Sequence, residues 1–496
     1  MLSPPSAALG DRSFGAGRFA AAYRYVRLRV FLTRTPRVFA AVGAHRRRCG
    51  VRLARVRKFL TPSVAFSKAR AIMGNALAIA GGPRLTNREW PRWPQPGERA
   101  LKSLEDVLTS GRWTISCAYQ GRESYERQFA AAFADYCRSA LCVPMATGTA
   151  SLAVALEACG VGAGDEVIVP GLTWVASASA VLGINAVPVL VDVDPRSYCL
   201  DPAAVEAAIT ERTRAITVVH AYSAVADLDS LLDIAQRHGL PLIEDCAHAH
   251  GASYGNWPVG AFGTAGVFSM QGSKLLTCGE GGALVTDDAD VANRAEHLRA
   301  DGRVLRRGSV DVGEMELEET GRLMGSNACL SEFHAAVLLD QLALLDGQNA
   351  RRTRAAEHLA GRLGELGLAV QETSPGTTDR SYYRFLVRVP DEVLAVAPVD
   401  RLARALTAEL GFAVTQTHRP LNDNPLNRPA TRRRFATDAR YLERVDPARF
   451  DLPVATRVHN SVVSFGHEVL LAPLDAIDDI SRAFRKVLDN VREIGG

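Results

Sequence analysis

Between residues 140 and 290, short apolar runs alternate with segments of helical character, and this alternation constrains the fold more than any other feature. The runs lie at residues 167–169, 187–193, 216–219, 242–243, 266–269 and 283–286. Continuous apolar runs are typical of strands that are buried on both faces of a sheet. Because helical segments separate them, the sequence predicts an α/β fold with a mainly parallel sheet.

The helical segments and a later change of pattern predict the rest of the architecture. One helix is expected from Thr149 onwards, and two more at residues 202–210 and 227–238. Beyond residue 330 we predict helices at 331–345, 351–366, 399–410 and 475–493 and a strand at 385–389. This second pattern indicates a smaller α+β domain that follows the first.

The first 72 residues differ from the rest in charge. They hold 16 Lys or Arg and a single acid, Asp11, and so contribute +15 to a total of +4, which leaves −11 for the remainder. Such asymmetry is typical of a tail or a targeting segment, although arginines interrupt every apolar run that a secretory signal would need. Because Met73 begins a stretch that resembles a natural start, we interpret the upstream part as a mis-assigned start or a disordered arm. A targeting segment and a nucleic-acid-binding arm are the alternatives.

These patterns predict three parts of the chain and exclude several classes of protein. We expect an Arg-rich extension at 1–85, a large domain at 86–345 and a small domain at 346–496. The acidic body argues against nucleic-acid binding, and no stretch reaches the roughly 20 apolar residues of a membrane-spanning helix. The nine cysteines are scattered, without the spacing of a zinc site. We therefore expect reduced thiols, no metal and a cytoplasmic protein.

Two segments at strand ends combine features that suit an anion and a cation. Gly148 and Thr149 begin a predicted helix, where glycine lets the backbone approach an anion and the helix N-terminus offers free N–H groups. The same pair also suits an ordinary helix cap. Asp245 ends a buried strand, where it either caps the next turn or pairs with a cation such as a protonated pyridine nitrogen.

Two further segments suit a nucleophile and a planar ring. Lys274 follows the apolar run at 266–269 and precedes Gly279-Glu280-Gly281-Gly282. A lysine on such a loop can bend into a cleft, where loss of water makes its amine a nucleophile, although isolated lysines are usually on the surface. Trp174 follows the run at 167–169 and either stacks on a ring or fills the core.

Taken together and in this order, these segments resemble the DegT/DnrJ/EryC1/StrS family of sugar aminotransferases, from about Trp90 to the C-terminus. The resemblance implies the fold-type I architecture of transferases that depend on pyridoxal 5′-phosphate (PLP). It implies a large domain with a seven-stranded, mainly parallel sheet and a smaller α+β domain. It also implies a homodimer whose active sites lie at the subunit interface.

The resemblance assigns roles to individual residues. Lys274 corresponds to the Schiff-base lysine, Asp245 to the partner of the pyridine nitrogen, and Trp174 to the aromatic residue on the cofactor ring. Its phosphate-binding positions are matched by Gly148, Thr149 and Ser269, with Asn327 offered from the other subunit. His248 stands where relatives often have Gln in contact with the ring hydroxyl.

A narrower likeness concerns the branch of the family that aminates keto-cyclitols. It rests on the segments at 90–95, 112–116, 121–124, 325–333 and 418–421. It implies transfer of an amino group from L-glutamine to a ketone such as scyllo-inosose or 2-deoxy-scyllo-inosose in aminoglycoside biosynthesis. The alternatives are a nucleotide-linked keto sugar as acceptor, an aminohydroxybenzoate synthase-like enzyme, and a regulator that retains the fold without catalysis. The loop at 220–224, His-Ala-Tyr-Ser-Ala, departs from the pattern of relatives.

Overall fold

The computed structural model describes residues 76–306, 308–435 and 438–495. The Arg-rich segment at 1–72 therefore lies outside the described residues. Within them, two domains share one compact unit.

A seven-stranded sheet forms the centre of the large domain. Its strands are β1 (Leu141–Met145), β2 (Glu166–Pro170), β3 (Val187–Val191), β4 (Thr213–Val219), β5 (Leu242–Asp245), β6 (Ala265–Ser269) and β7 (Gly282–Thr286). Their order is β1-β7-β6-β5-β4-β2-β3, and β7 alone runs antiparallel to its neighbours. The predicted α/β class and the mainly parallel sheet are confirmed.

The edge strand β1 was not predicted from the apolar pattern. It contains Pro144 and pairs within the sheet only with β7, apart from a single bridge between Met145 and Cys329. Proline lacks the N–H that an inner strand must donate, so it is tolerated at a sheet edge. Because β6 and β1 both oppose β7, β1 points the same way as the parallel strands.

Helices cover both faces of this sheet and continue into the small domain. In the first part of the chain they are α1 (Ala100–Ser110), α2 (Tyr125–Cys137), α3 (Gly148–Ala158), α4 (Ala176–Gly183), α5 (Pro202–Ala208), α6 (Leu228–His238), α7 (Ala289–Arg299) and α8 (Glu332–Gly364). The prediction of two helices at 331–345 and 351–366 was wrong, because α8 runs through both without a break. No proline separates them, and a helix tolerates the single Gly347 between them at a cost of about 1 kcal/mol.

The small domain packs helices on a four-stranded antiparallel sheet. Its strands β8 (Ala369–Val370), β9 (Arg384–Arg388), β10 (Thr415–Gln416) and β11 (Val462–Gly466) are arranged in the order β8-β9-β11-β10. Its helices are α9 (Asp391–Leu394), α10 (Val399–Leu410), α11 (Ala439–Arg444), α12 (Pro453–Ser461) and α13 (Leu474–Asp489). Leu77 is fully buried in the core of this domain. The predicted domain boundaries at 85 and 345 stay predictions.

The fold brings three strand ends to one edge of the large sheet. Strand β1 leads through Ala146 and Thr147 directly into α3, β5 ends at Asp245, and β6 ends at Ser269. Ligands of open α/β sheets bind beyond such carboxyl ends. This edge is therefore where the topology places a functional site.

A buried ion pair braces the strand that leads into α3. The Arg299 guanidinium lies 2.6 Å from the Glu126 carboxylate, and both side chains are almost fully buried. The same nitrogen of Arg299 donates to the carbonyl of Pro144 in β1 at 2.8 Å. Arg299 also pairs with the Glu296 carboxylate at 2.8 Å. Loss of Glu126 would therefore remove one of the two carboxylates that compensate the buried Arg299 charge, which is costly.

We expect Glu126→Gln to lower the free energy of unfolding by about 2 kcal/mol, because the buried Arg299 guanidinium loses one of its two carboxylate partners and keeps only Glu296. Urea unfolding followed by circular dichroism measures the change. The matched control is Glu206→Gln, which removes an exposed pair with Arg237 and should change the stability little. Equal effects of the two substitutions would contradict this role of Glu126.

Candidate active site

The carboxyl edge of the large sheet borders a cavity of about 490 Å³. Of the residues that the resemblance singles out, it is lined by Gly148, Thr149, Trp174, Asp245, His248, Ser269 and Lys274. These positions come from four different strand-to-helix or strand-to-loop junctions, at the ends of β1, β2, β5 and β6. The sequence therefore predicted a group of residues that the tertiary structure brings together.

The start of α3 and the end of β6 form a close-packed turn in this cavity. Thr147 caps the helix, since its hydroxyl accepts the N–H of Ala150 at 3.0 Å. A Cβ on Gly148 would lie 2.6 Å from the Cβ of Ser269. Glycine is therefore required for α3 to begin against Ser269. The first N–H groups of a helix have no acceptor within it, so the turn can receive an anion.

Asp245 carries a buried carboxylate to the floor of the cavity. Its two oxygens accept the Ser177 hydroxyl at 3.0 Å and the Ala247 N–H at 3.1 Å. Burial raises the pKa of Asp245, although the Ala247 N–H, the Lys274 ammonium and the Ser177 hydroxyl act in the opposite direction. A carboxylate in this environment gains from a cationic partner within hydrogen-bonding distance.

The neighbouring carboxylate, Glu244, points to the other side of β5 and serves the fold. Its oxygens accept the N–H groups of Gly260, Phe262 and Gly263 at 2.7 to 2.8 Å and face His220 Nε2 at 3.1 Å. His220 Nδ1 accepts the Ala226 N–H, so its ring proton is on Nε2. Ligand atoms of His220, Glu244 and Cys246 lie within 4.8 Å of one another. Since hydrogen bonds already occupy both Glu244 oxygens, we interpret this group as structural.

Lys274 reaches the cavity from the loop after β6. The residue is 7% exposed, and its ammonium lies 4.2 Å from the centre of the Tyr383 ring. Burial acts to raise the pKa of Tyr383, but the Lys274 ammonium and the Ser273 hydroxyl outweigh it, and that pKa is lowered. The lysine amine and the tyrosine hydroxyl therefore face the same space in a shared electrostatic environment.

His248 lies between the two domains in a defined protonation state. Its ring stacks on Tyr383 with 4.1 Å between centroids and an interplanar angle of 16°. Burial, together with the charge of Lys274, lowers the pKa of His248 well below its usual value. Nδ1 accepts the Tyr222 N–H at 3.2 Å, so the neutral ring carries its proton on Nε2.

Sequence reasoning missed two small-domain residues that line the cavity as part of the site. Tyr383 precedes β9, and His418 follows β10. His418 belongs to a segment that carried the narrower likeness, so a signal for it was present. No local pattern pointed to Tyr383, because its place in the site depends on how the small domain packs on the large one.

Trp174 and Asn327 take different places. Trp174 lines the cavity but is 49% exposed. The centre of its ring lies 5.7 Å from that of the His418 ring, and the two planes are inclined at 56°. Asn327 is exposed and does not line the cavity of its own chain. Its side-chain oxygen Oδ1 accepts the Cys329 N–H at 3.3 Å. The resemblance assigned Asn327 to the site of another subunit, and that role stays a prediction.

Comparison with known proteins agrees with this arrangement. The profile of the DegT/DnrJ/EryC1/StrS aminotransferase family matches residues 94–480. The L-glutamine:scyllo-inosose aminotransferase of Streptomyces griseus is 86% identical over 422 residues, which cover 85% of this chain and 100% of that protein. The L-glutamine:2-deoxy-scyllo-inosose aminotransferase of Streptomyces fradiae is 57% identical over 84% of this chain and 98% of that protein.

Solved structures show the same fold. The crystal structure of 3-amino-5-hydroxybenzoic acid synthase has a TM-score of 0.67 at 31% identity and covers 81% of this chain and 99% of that one. An aminotransferase from Psychrobacter cryohalolentis has a TM-score of 0.68 at 27% identity and covers 81% of this chain and 100% of that one. Among the described residues, no helix combines the length and the apolar character needed to cross a membrane.

We expect Gly148→Ala to lower the stability by about 1–3 kcal/mol, because the added methyl group would overlap Ser269 and push the start of α3 away from β6. Thermal unfolding measures this effect. The control is Gly183→Ala, at the end of α4, where a Cβ meets nothing within 4 Å. That substitution should be neutral or slightly stabilising. A Gly148→Ala protein as stable as the parent would disprove the close packing of this turn.

Proposed function

The chain belongs to the DegT/DnrJ/EryC1/StrS aminotransferase family, and we propose that it transfers the amino group of L-glutamine to a keto-cyclitol of the scyllo-inosose type in aminoglycoside biosynthesis. The observation that carries this proposal is the cavity in which Lys274, Asp245 and the turn at Gly148 lie together. The identities of 86% and 57% with enzymes named for this donor and these acceptors support the choice of substrates. They favour a cyclitol over a nucleotide-linked sugar or an aminohydroxybenzoate precursor.

The residues of the cavity fit PLP, which we propose as the cofactor. One wall offers the helix start at Gly148 and Thr149 with the Ser269 hydroxyl, which suits a phosphate. The floor offers the desolvated Asp245 carboxylate, which suits a protonated pyridine nitrogen. Lys274 supplies an amine for covalent attachment, and Trp174 an aromatic face for the ring. When bound, the cofactor supplies an electron sink for the carbon that loses its proton.

Lys274 carries the acid–base chemistry in this proposal. Because Lys274 Nζ lies in the cavity and is shielded from solvent, it can take the proton from the α-carbon of the amino donor once its own covalent bond is exchanged. The same nitrogen then gives that proton back. When the ketone is aminated, the two proton transfers occur in the opposite order. Tyr383 beside the ammonium orients it and helps to exclude water.

Asp245 and His248 would serve different atoms of the cofactor. The Asp245 oxygens, which accept hydrogen bonds from Ser177 and Ala247, would keep the pyridine nitrogen protonated when ionised. His248 offers Nε2–H as a donor, because Nδ1 already accepts from Tyr222. A neutral donor suits the ring oxygen, where His248 replaces the Gln of many relatives.

We assign His418, which lines the cavity beside Trp174, to the acceptor side of the site. Burial and the charge of Arg384 lower the pKa of His418 to about 3, so its ring is neutral. A neutral imidazole both donates and accepts hydrogen bonds. It therefore suits a ring that carries several hydroxyl groups, such as a cyclitol.

We also propose a homodimer in which each subunit completes the partner's site. Asn327 is exposed and lies outside its own cavity, yet the resemblance pairs it with the cofactor phosphate. Close to it in the chain, the large apolar side chains of Leu323 and Met324 are exposed, at 36% and 91%. Exposed apolar groups of this size are typical of an interface. The eight cysteines of the described residues are all free thiols, which supports the proposed cytoplasmic location.

The proposed reaction is tested by absorbance, with the protein reconstituted with PLP. L-Glutamine should remove the visible absorbance of the lysine-bound cofactor, and scyllo-inosose should restore it. Lys274→Ala should lack that absorbance and turn over at least about 10³-fold more slowly, because it loses both the attachment and the proton carrier. Loss of the absorbance with glutamine but no return with the inosose would refute the cyclitol acceptor. A parent protein that never absorbs there would refute the role of Lys274.

The shared site is tested by complementation. Lys274→Ala and Asn327→Ala each disable the sites to which they belong, and a mixed dimer assembles one site with both residues intact. We therefore expect a mixture of the two inactive variants, after subunit exchange, to regain up to about a quarter of the parent activity, since half of the dimers are mixed and each has one intact site. Mixing two separately prepared Lys274→Ala samples is the control. No recovery in a mixture shown to contain heterodimers would contradict the role of Asn327.

A further inference from the structure

Tyr222, in the loop after β4, is buried behind the cavity rather than in its lining. It is 1% exposed, and its backbone adopts a φ of +61°. Aromatic residues rarely adopt this left-handed conformation, and the surrounding structure must compensate for its cost. The conformation of Tyr222 therefore calls for a physical reason.

The reason lies in the contacts that this conformation permits. The N–H of Tyr222 donates to His248 Nδ1 at 3.2 Å, and its hydroxyl accepts the backbone N–H of His418 at 2.9 Å. Its ring stacks on both imidazoles, at 5.8 Å from His248 and 5.4 Å from His418, with interplanar angles of 25° and 28°. Its carbonyl accepts the N–H of Tyr383 at 3.2 Å. One residue of the large domain thus holds three residues that line the cavity.

We propose that Tyr222 is a positioning residue that links the cofactor side of the cavity to the acceptor side, fixing the tautomer of His248 through its N–H and the place of His418 through its hydroxyl. The inference rests on the proposed function for the meaning of the two sides. It goes beyond that function by assigning separate tasks to the two ends of one residue.

The two contacts predict separable effects. The bond to His248 comes from the main chain and survives any substitution that keeps the loop conformation. The bond to His418 comes from the phenol and is lost in Tyr222→Phe, which leaves a buried N–H without an acceptor. Tyr222→Phe should therefore disturb the acceptor side and spare the cofactor side.

The experiment compares the two half-reactions of the PLP-loaded enzyme. In Tyr222→Phe we expect the KM for scyllo-inosose to rise about tenfold, as for the loss of one buried hydrogen bond. The rate with L-glutamine and the visible absorbance of the cofactor should stay within twofold of the parent. An unchanged KM for the inosose, or an equal loss in both half-reactions, would overturn the proposal.

Tyr198 offers a matched control. It is also a buried tyrosine, 2% exposed, with a left-handed backbone at φ +62°, but it lies outside the lining of the cavity. Tyr198→Phe should leave both half-reactions unchanged. If it reproduced the effect of Tyr222→Phe, the effect would belong to the removal of any buried phenol, and the proposal would fail.

A measurement on the parent protein needs neither a variant nor an acceptor. In protein labelled with ¹⁵N-histidine, NMR should show His248 with an unprotonated Nδ1 and a protonated Nε2, and slow hydrogen exchange at the amide of His418. A protonated Nδ1 or a rapidly exchanging amide would overturn the assignment of Tyr222. If the parent enzyme fails to aminate scyllo-inosose, the proposed acceptor is wrong, while the NMR result still decides the role of Tyr222.

Discussion

The burial of Asp245 at the end of β5 is the constraint on which the rest of the site depends. Two carboxylates follow each other there and point to opposite faces of the strand. Both oxygens of Glu244 are used within the fold, because they accept three N–H groups of the following loop and face His220. Asp245 receives only a hydroxyl and one N–H, and burial raises its pKa. The fold thus stabilises one carboxylate fully and leaves the other in need of a cation, which is the property that suits Asp245 to a pyridine nitrogen.

The second constraint is that the cavity belongs to neither domain alone. The large domain contributes the helix start, Asp245 and Lys274, whereas the small domain contributes Tyr383 and His418. The stacked rings of Tyr383, His248 and Tyr222 cross the boundary between the domains. A residue that bonds to both sides, as Tyr222 does, couples the position of the small domain to the protonation of His248, which lines the cavity. This coupling explains why a strained backbone is tolerated in that loop.

Much of the large domain could be predicted because its signals are local. Buried parallel strands are continuous apolar runs, and the residues after them lie at one edge of the sheet, so Lys274, Asp245 and Ser269 could be picked out by position. The exceptions have physical reasons. Strand β1 escaped notice because its proline and its edge position weaken the pattern, and α8 was divided in two because Gly347 resembles a break. Tyr383 carried no local signal, since its contacts with Lys274 and His248 join segments that lie far apart in the chain.

The sequence by itself determined the class of fold, the family and the residue types of the site. These follow from hydrophobic periodicity and from motifs a few residues long, which act over short distances along the chain. Only the tertiary structure decided the state of those residues. It directed Glu244 into the fold and Asp245 into the cavity, put the proton of His248 on Nε2, and brought Tyr383 and His418 into the same cavity as Lys274. Protonation and orientation depend on burial and on partners supplied by distant segments, and those exist only once the two domains have packed together.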